Sequence, residues 1–336
     1  MTTKRATIWE VAALAGVSHQ TVSRYLRQDG GMRPATVEKV RAAIEELHFR
    51  PSRIARSMRT RRSARIAILL PAANKRLPLR TLLGASTAAH EAGYAIDIVG
   101  VEGGEGRLER IIDLADSGDF EGMLALASFG EATAGGTSVP VVTVADYDEE
   151  MRGLGAVANG AACGEVVHLL ASLGHRHFAH IAGPDDFAAA RNRRRTFLGT
   201  VESLGGTGIV LPGGWTAEAG YVAVTSLPDE TPVTAIVAAN DAVATGAIRA
   251  CHERGWSVPE TMSVFGWDDN ELCQYMVPAL STVAMDGARL GREAMQRLIA
   301  ILRDEPAPEP DPTPLHRVIQ RESSGPVRTT PRGVTG

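Results

Sequence analysis

Short apolar runs alternate with helix-length segments along most of this chain, and this alternation constrains the fold more than any other feature. A first series of runs begins with ARIAILL at 64–70 and continues with AIDIV, GMLALAS and VPVVTV. A second series comprises HFAHIAG, a run at 208–211, TAIVAA and MSVFG. Strands that are apolar along their whole length are buried on both faces, so these runs predict parallel sheets covered by helices. We therefore predict an α/β body of two doubly wound parallel-sheet subdomains.

The last helix and strand of this body follow both series, so the chain is expected to pass between the subdomains more than once. A helical pattern at 287–302 precedes a Pro-rich connector and then the run LHRVIQR. The predicted N-terminal subdomain comprises 63–160 and 286–312, and the C-terminal subdomain comprises 161–285 and 313–323. Residues 324–336 are predicted to form a disordered tail.

The start of the chain has a different pattern, that of three short helices. Thr7 and Glu10 have the spacing of a capping box and begin a first amphipathic helix. A Gly-Val turn follows, and Ser18 can cap a second helix. Pro34 is suited to the first turn of a third helix. Residues 1–50 are thus predicted to form a helix-turn-helix headpiece.

The second helix carries polar side chains that packing alone does not explain: His19, Gln20, Ser23 and Arg24. Glutamine can read adenine and arginine can read guanine, and the first residues of a recognition helix reach base edges in the major groove. This face therefore indicates DNA binding. The alternative is a helical hairpin with a solvated polar face.

Charge is distributed very unevenly between this region and the remainder. Residues 1–62 carry 13 Lys and Arg against 5 Asp and Glu, whereas the remainder carries 22 against 34. A compact basic segment on an acidic body is typical of a nucleic-acid-binding module. The basic stretch 51–62 is predicted to be a hinge helix or linker, and because an isolated helix this short is marginal in water, its order should depend on a partner.

Other classes of function find little support in the sequence. The cysteines, Cys163, Cys251 and Cys273, have no zinc or redox spacing. The N-terminus lacks a signal-peptide core and no run is long enough to span a membrane, so we predict a cytoplasmic protein without membrane contact. The chain contains no HExxH, Walker, GxSxG or dinucleotide motif, so neither an enzyme nor a cofactor is predicted. A metal site at His175, His177 and His180 is the weaker alternative to structural roles, because their spacing on a strand divides them between its two faces.

Taken in order, several motifs resemble those of the LacI/GalR family of bacterial transcription regulators. They are GVSHQTVSRYL, ARSMRT, LGHRHFAHIAGP, IVAANDAVATGAIRA, SVFGWDD and PALSTVAMDGARLG. The resemblance covers roughly 6–321 of the chain. It implies an operator-binding headpiece, a hinge helix, and a periplasmic-binding-protein-like effector body that also dimerises.

The resemblance also implies which residues contact DNA. It places His19, Gln20 and Arg24 at base-reading positions and Ala55 and Met58 at the minor groove. The full set that we predict to contact DNA is Thr7, Ser18, His19, Gln20, Thr21, Ser23, Arg24, Ser52, Ala55 and Met58. Met58 stands where the family usually has leucine, and methionine is among the side chains that wedge between base steps in the minor groove.

The resemblance implies effector contacts at Arg193, Asn240 and Asp268. Trp215 and Trp267 could stack on a sugar face, and Asn74 completes the predicted effector-binding set. Each has a simpler alternative: Arg193 could belong to a solvated helix face, the tryptophans could fill core, and either Asn240 or Asp241 could cap a helix. We assign Asn240 to the ligand and Asp241 to capping. Because Ala145, Ala158 and Thr196 depart from the family pattern, no particular sugar can be carried over.

These observations predict a dimeric repressor of a carbohydrate-utilisation operon. Its partners would be a palindromic double-stranded DNA operator and a sugar or sugar derivative bound between the body subdomains. The alternatives are a purine- or other metabolite-responsive regulator acting by corepression, a solute-binding protein, and a sugar-metabolising enzyme. A tetramer is not expected, because the sequence after Arg321 lacks leucine heptads.

Overall fold

The computed structural model divides the chain into two compact units, Met1–Ala64 and Arg65–Gly336. It describes residues 6–26, 31–49, 62–72, 78–102, 106–126, 136–144, 146–148 and 152–327. The hinge residues Ser52, Ala55 and Met58, together with Asn74 and Ala145, lie outside these ranges.

The first unit contains three helices around a small apolar core. They are α1 (Ile8–Ala15), α2 (His19–Leu26) and α3 (Pro34–Glu46). Thr7 and Glu10 form the predicted capping box, and Gly16 ends α1 in the left-handed region, with φ of 65°. The core consists of Val11, Ala12, Ala15, Val22, Val40, Ala43 and Phe49.

The second unit begins with a parallel sheet of strand order β2-β1-β3-β4. Its elements are β1 (Arg65–Pro71), α4 (Leu79–Glu91), β2 (Ala95–Val101), α5 (Arg107–Asp116), β3 (Gly122–Ala125) and β4 (Val141–Thr143). Strand β1 is apolar and buried from Ile66 to Leu70, as its unbroken apolar run requires when helices cover both faces.

A second parallel sheet follows, with the order β6-β5-β7-β8. Its elements are α6 (Ala161–Ser172), β5 (His177–Ile181), α7 (Ala188–Ser203), β6 (Thr207–Leu211), α8 (Ala217–Thr225), β7 (Ala235–Ala238), α9 (Asp241–Glu253) and β8 (Ser263–Phe265). Apolar clusters cover both faces of this sheet. The predicted fold class, a helical headpiece followed by two doubly wound sheets, is confirmed.

The chain then crosses between the two sheets again. Strand β9 (Thr282–Met285) pairs antiparallel with β10 (His316–Ile319), and α10 (Gly287–Arg303) lies between them in sequence. Helix α10 packs against α4, and its Leu298 joins the core of the first sheet. Among the described helices, none combines the length and apolar character that crossing a membrane requires.

The start of the predicted disordered tail is packed, so that expectation is wrong for 324–327. Ser324 is buried. His175 Nε2 donates to the Gly325 carbonyl at 3.0 Å, and the Val327 amide donates to the Leu173 carbonyl at 3.0 Å. These polar groups find partners at residues far away in sequence, which composition alone does not reveal. Residues 328–336 lie outside the described ranges.

Helices α8 and α9 approach so closely that their facing positions exclude a side chain. A Cβ at Gly220 would lie 1.9 Å from the Val243 carbonyl oxygen, and one at Gly246 would lie 1.7 Å from the Ala217 carbonyl oxygen. Because both obstacles are backbone atoms, a larger residue would force the helices apart.

Gly246→Ala should therefore lower the free energy of unfolding of the body by roughly 2–3 kcal/mol, the cost typical of overpacking. Chemical denaturation measures this change. The matched control is Gly199→Ala in α7, where a Cβ would meet nothing within 4 Å. Alanine should stabilise that exposed helical position by about 0.5–1 kcal/mol. Equal denaturation midpoints for the two variants would contradict the close approach of α8 and α9.

His180 is a buried titratable group within β5. Its Nδ1 donates to the Val237 carbonyl at 2.8 Å, and its ring packs on Phe197. Burial, reinforced by the charges of Arg193 and Arg194, lowers the pKa of His180 from 6.5 to about 4. The folded state therefore binds this proton at lower pH than the unfolded chain does.

Because the unfolded chain protonates His180 first, its contribution to stability is complete above pH 6.5 and falls as the pH drops toward 4. The expected slope is about 1.4 kcal/mol per pH unit for one proton. His180→Asn keeps an amide donor for Val237 but does not titrate. Urea denaturation between these pH values should show a correspondingly shallower pH dependence for this variant. Parallel curves for the variant and the parent protein would contradict the assignment.

Candidate nucleic-acid face and ligand cleft

Helix α2 presents a polar face beside its single fully buried side chain, Val22. Gln20 and Arg24 are exposed. Ser18 caps the helix, since its Oγ accepts from the Thr21 amide at 3.2 Å. A short helix with an anchored first turn and long polar side chains pointing outward has the form that groove reading requires.

Most of the other predicted headpiece residues lie along this face. Thr21 and Ser23 are half-buried on α2. Thr7 lies at the start of α1, where its Oγ accepts from the Glu10 amide at 3.3 Å. Thr7 and Ser18 thus fix the starts of the two helices, whereas Gln20 and Arg24 are exposed.

Trp9 is a candidate contact residue that the sequence reasoning missed. It is 63% exposed, and its ring stacks on His19, the first residue of α2, with ring centroids 4.1 Å apart. Its contact with His19 places this exposed aromatic ring beside the polar face of α2. The available signal was its place on the polar side of the α1 helical pattern, opposite Val11.

In the body, Arg193 is buried, so its interpretation as part of a solvated helix face is wrong. It projects from α7, is 8% exposed, and donates from Nη1 to the Ala239 carbonyl at 2.6 Å. Its guanidinium lies over the Trp267 ring, 4.1 Å from the centroid. Burial lowers the pKa of Arg193, and the charge of Asp268 opposes that shift.

This arrangement leaves donors of Arg193 available to a ligand. The bond to Ala239 is its one hydrogen bond within the described part of the chain, whereas a guanidinium has five N–H donors. Trp267 is 1% exposed and its ring also lies 5.4 Å from the His316 ring, centroid to centroid, so it supports Arg193 and has no exposed face for a ligand.

Asn240, and not Asp241 as predicted, caps the following helix. Asn240 caps α9, since its Oδ1 accepts from the Val243 amide at 2.8 Å. Asp241 is buried, and its carboxylate accepts from the Thr282 hydroxyl at 2.5 Å and from the Asn270 amide at 2.8 Å. The assignment of capping to Asp241 is therefore wrong, because that carboxylate ties two later segments together.

Trp215 lies beside Asn240, whose Nδ2 donates to the Trp215 carbonyl at 3.1 Å. The half-buried indole meets Phe187 edge to face at 5.1 Å, and it covers Gly183, where a Cβ would lie 2.6 Å from the ring. Trp215 therefore lies near the carboxyl ends of β5 and β6.

The backbones of Asp268 and Asp269 adopt positive φ values of 110° and 50°. Such conformations cost of order 1–3 kcal/mol each and persist where surrounding contacts impose them. Here the Asp268 amide donates to the Val283 carbonyl at 2.9 Å, and Arg321 pairs with Asp269 at 2.7 Å. The strained loop fixes the Asp268 charge near Arg193.

The sheet therefore gathers four of the predicted effector residues at the carboxyl ends of its strands, the usual ligand position in parallel α/β sheets. We call Arg193, Trp215, Asn240 and Asp268 the ligand cleft, because they form the site that we propose below for a small molecule. The three histidines of the metal alternative diverge: His175 contacts Gly325, His177 contacts Thr207 and His180 contacts Val237.

Comparison with known proteins agrees with both halves of this architecture. The family model for bacterial regulatory proteins, lacI family, matches residues 7–52, and that for the periplasmic binding protein-like domain matches residues 167–324. The ribose operon repressor of Escherichia coli (strain K12) is 29% identical over 308 residues, which are 88% of this chain and 92% of that protein.

A second relative and a solved structure extend this likeness. The HTH-type transcriptional regulator CelR of Thermobifida fusca is 30% identical over 312 residues, covering 88% of this chain and 92% of CelR. The lac repressor dimer bound to operator and the anti-inducer ONPF has a TM-score of 0.69 and 26% identity, covering 96% of this chain and all of that one. This chain therefore belongs to the LacI family of bacterial regulatory proteins, and it is a DNA-binding transcriptional regulator rather than an enzyme.

Proposed function

We propose that this regulator represses a carbohydrate-utilisation operon as a homodimer and that a sugar or sugar derivative bound in the ligand cleft controls it. One observation carries the proposal: a buried guanidinium, stacked on an indole, keeps donors available at the carboxyl ends of a parallel sheet. A planar fork of donors suits the paired hydroxyls of a sugar. The name of the ribose operon repressor, which is 29% identical to this chain over 308 residues, supports a sugar operon.

The headpiece supplies the operator contact in this proposal. In it, Gln20 and Arg24 read bases in the major groove, which their exposure on α2 supports, and Trp9 lies in contact with His19, the first residue of the same helix. The hinge at 51–62, with Ser52, Ala55 and Met58 in the minor groove, remains a proposal from the family resemblance. Since regulated DNA in a bacterium lies in the cytoplasm, we place the protein there.

The body offers a surface for the second copy. Leu272, Tyr275 and Val277 are all exposed, and Val277 is exposed to 95%. Large apolar side chains clustered at a surface mark protein–protein contacts. A two-fold dimer would pair two headpieces with the half-sites of a palindrome. The lac repressor structure is likewise a dimer on operator.

The ligand would act by changing the relative orientation of the subdomains that we assign to 63–160 with 286–312, and to 161–285 with 313–323. It can do so only if it binds the two orientations with different affinity. The ligand cleft lies on the second of these subdomains, so closure onto the first would complete the site.

Arg24→Ala tests the headpiece. Loss of a bidentate base contact should weaken binding to an operator selected from random duplexes by about 1–3 kcal/mol. Binding to unrelated DNA should weaken much less. Fluorescence anisotropy titrations on both duplexes measure the two losses.

The control for this test is Arg41→Ala, which removes the same charge from α3. Arg41 pairs with Glu38 of its own helix at 2.6 Å, so its loss should affect both duplexes alike. If Arg24→Ala also weakens both duplexes equally, then Arg24 contacts phosphate and does not read a base.

Arg193→Lys tests the ligand cleft. A thermal-shift screen of sugars, sugar phosphates and purines first identifies the ligand. Lysine keeps the charge but loses the fork, so the variant should bind that ligand at least about tenfold more weakly, a loss of about 1.4 kcal/mol. Isothermal titration calorimetry measures the affinity.

Arg195→Lys, an exposed change on the same helix, should leave that affinity unchanged. If Arg193→Lys binds the ligand as tightly as the parent protein does, then Arg193 is not a ligand contact. A screen in which purines alone raise the melting temperature would contradict the sugar class.

A further inference from the structure

The body contains a second cavity away from the ligand cleft. It has a volume of about 480 Å³ and lies between α10, of the first sheet's layer, and the start of α6, of the second. Volumes of roughly 300–1,000 Å³ are usual for small-molecule sites. Arg193, Trp215, Asn240 and Asp268 do not line it. We call this space the hinge cavity.

The hinge cavity is bounded by two of the segments that join the sheets. Asp146 and Asn159 come from the connection between β4 and α6, Pro308 comes from the connection between α10 and β10, and His316 is the first residue of β10. A molecule in this space would touch both connections. Its binding would therefore depend on the relative position of the two sheets.

The wall of the hinge cavity is strongly acidic. Five carboxylates line it, from Asp146, Glu165, Glu293, Glu309 and Asp311, against the two guanidinium groups of Arg289 and Arg297. His316 adds no charge at neutral pH, because burial lowers its pKa to about 4. The excess of negative charge favours a cationic occupant.

Internal pairing does not remove this excess. Arg289 is held by Asp311 at 3.3 Å and by the Thr313 carbonyl at 2.7 Å, and Glu293 lies 3.8 Å from it. Glu165 and Glu309 are exposed and form no ion pair with the described residues. Their carboxylates are available to an ammonium group.

Apolar groups make up the remainder of the wall. They come from Leu290, Leu315 and the prolines Pro308, Pro310 and Pro314. A hydrocarbon segment would lose water against these groups, while ammonium groups at its ends would meet the carboxylates. The combination is complementary to an aliphatic amine with more than one charge.

The cavity also has a physical link to the ligand cleft. His316 lines the cavity, and its ring contacts Trp267 at 5.4 Å. The Arg193 guanidinium in turn lies over the Trp267 ring, 4.1 Å from the ring centroid. A shift of His316 would therefore reach Arg193 through one intervening ring.

From these observations we propose that the hinge cavity is a second small-molecule site, and that it binds an aliphatic diamine or polyamine. Binding there does not rest on the proposed sugar or operator. Its effect on repression would rest on them, through the dependence of the cavity on the position of the two sheets.

The test is isothermal titration calorimetry of the full chain without DNA, with 1,4-diaminobutane as the probe. Saturable binding is expected for the parent protein, and the double variant Glu165→Gln and Glu309→Gln should bind at least tenfold more weakly. The matched control is Glu218→Gln with Glu230→Gln, two exposed carboxylates elsewhere on the body, which should bind as the parent does. Circular dichroism and melting temperature confirm that each variant is folded.

The neutral isostere 1,4-butanediol completes the test and should not bind detectably at millimolar concentration. Absence of diamine binding to the parent protein would overturn the proposal. Equal binding by the two double variants would also overturn it, because the amine would then be held by general surface charge. Binding of the diol as tightly as the diamine would overturn the cationic class. None of these outcomes depends on whether a sugar binds the ligand cleft.

Discussion

The buried guanidinium of Arg193 determines much of what surrounds it. Removing a charge from water costs several kcal/mol unless neighbouring groups compensate. Three do so here: the Ala239 carbonyl accepts a hydrogen bond, the Trp267 ring supplies a π face, and Asp268 supplies an opposite charge. All three belong to the second sheet or its strand ends, so the sheet must be assembled before this charge can be held in place.

The consequences extend through the adjacent core. The pKa values of His180 and His316 are both lowered to about 4, with burial as the main cause and the Arg193 charge as a further one. Asp268, which provides part of the compensation, lies in a loop whose next two residues are held by Arg321 and Asp241. Asp241 is thus central to the cleft, although it lies too deep to meet a ligand.

Much of this protein could be predicted from its sequence, where the signal is local. The capping box at Thr7, the turn at Gly16 and the apolar strands each depend on neighbouring residues, and all are present. Contacts between distant residues were harder to predict. Asp241 bonds Thr282 across 41 positions, and His175 bonds Gly325 across 150, so neither the role of Asp241 nor the ordered start of the tail has a local signature. Trp9 was missed for a related reason: its stacking on His19 depends on how two helices pack.

The stack of Arg193, Trp267 and His316 gives the body two polar regions that share one aromatic ring. Trp267 is fully buried, and packed interiors do not deform continuously, so a displacement at one end of the stack must be accommodated at the other. One end belongs to the ligand cleft at the strand ends, and the other belongs to β10, which pairs with β9. The ligand that we propose for the cleft would therefore, by fixing Arg193, also favour one position of β10. By the reciprocity of linked equilibria, an occupant of the hinge cavity that favours the same position must tighten the cleft, and one that favours the other must loosen it.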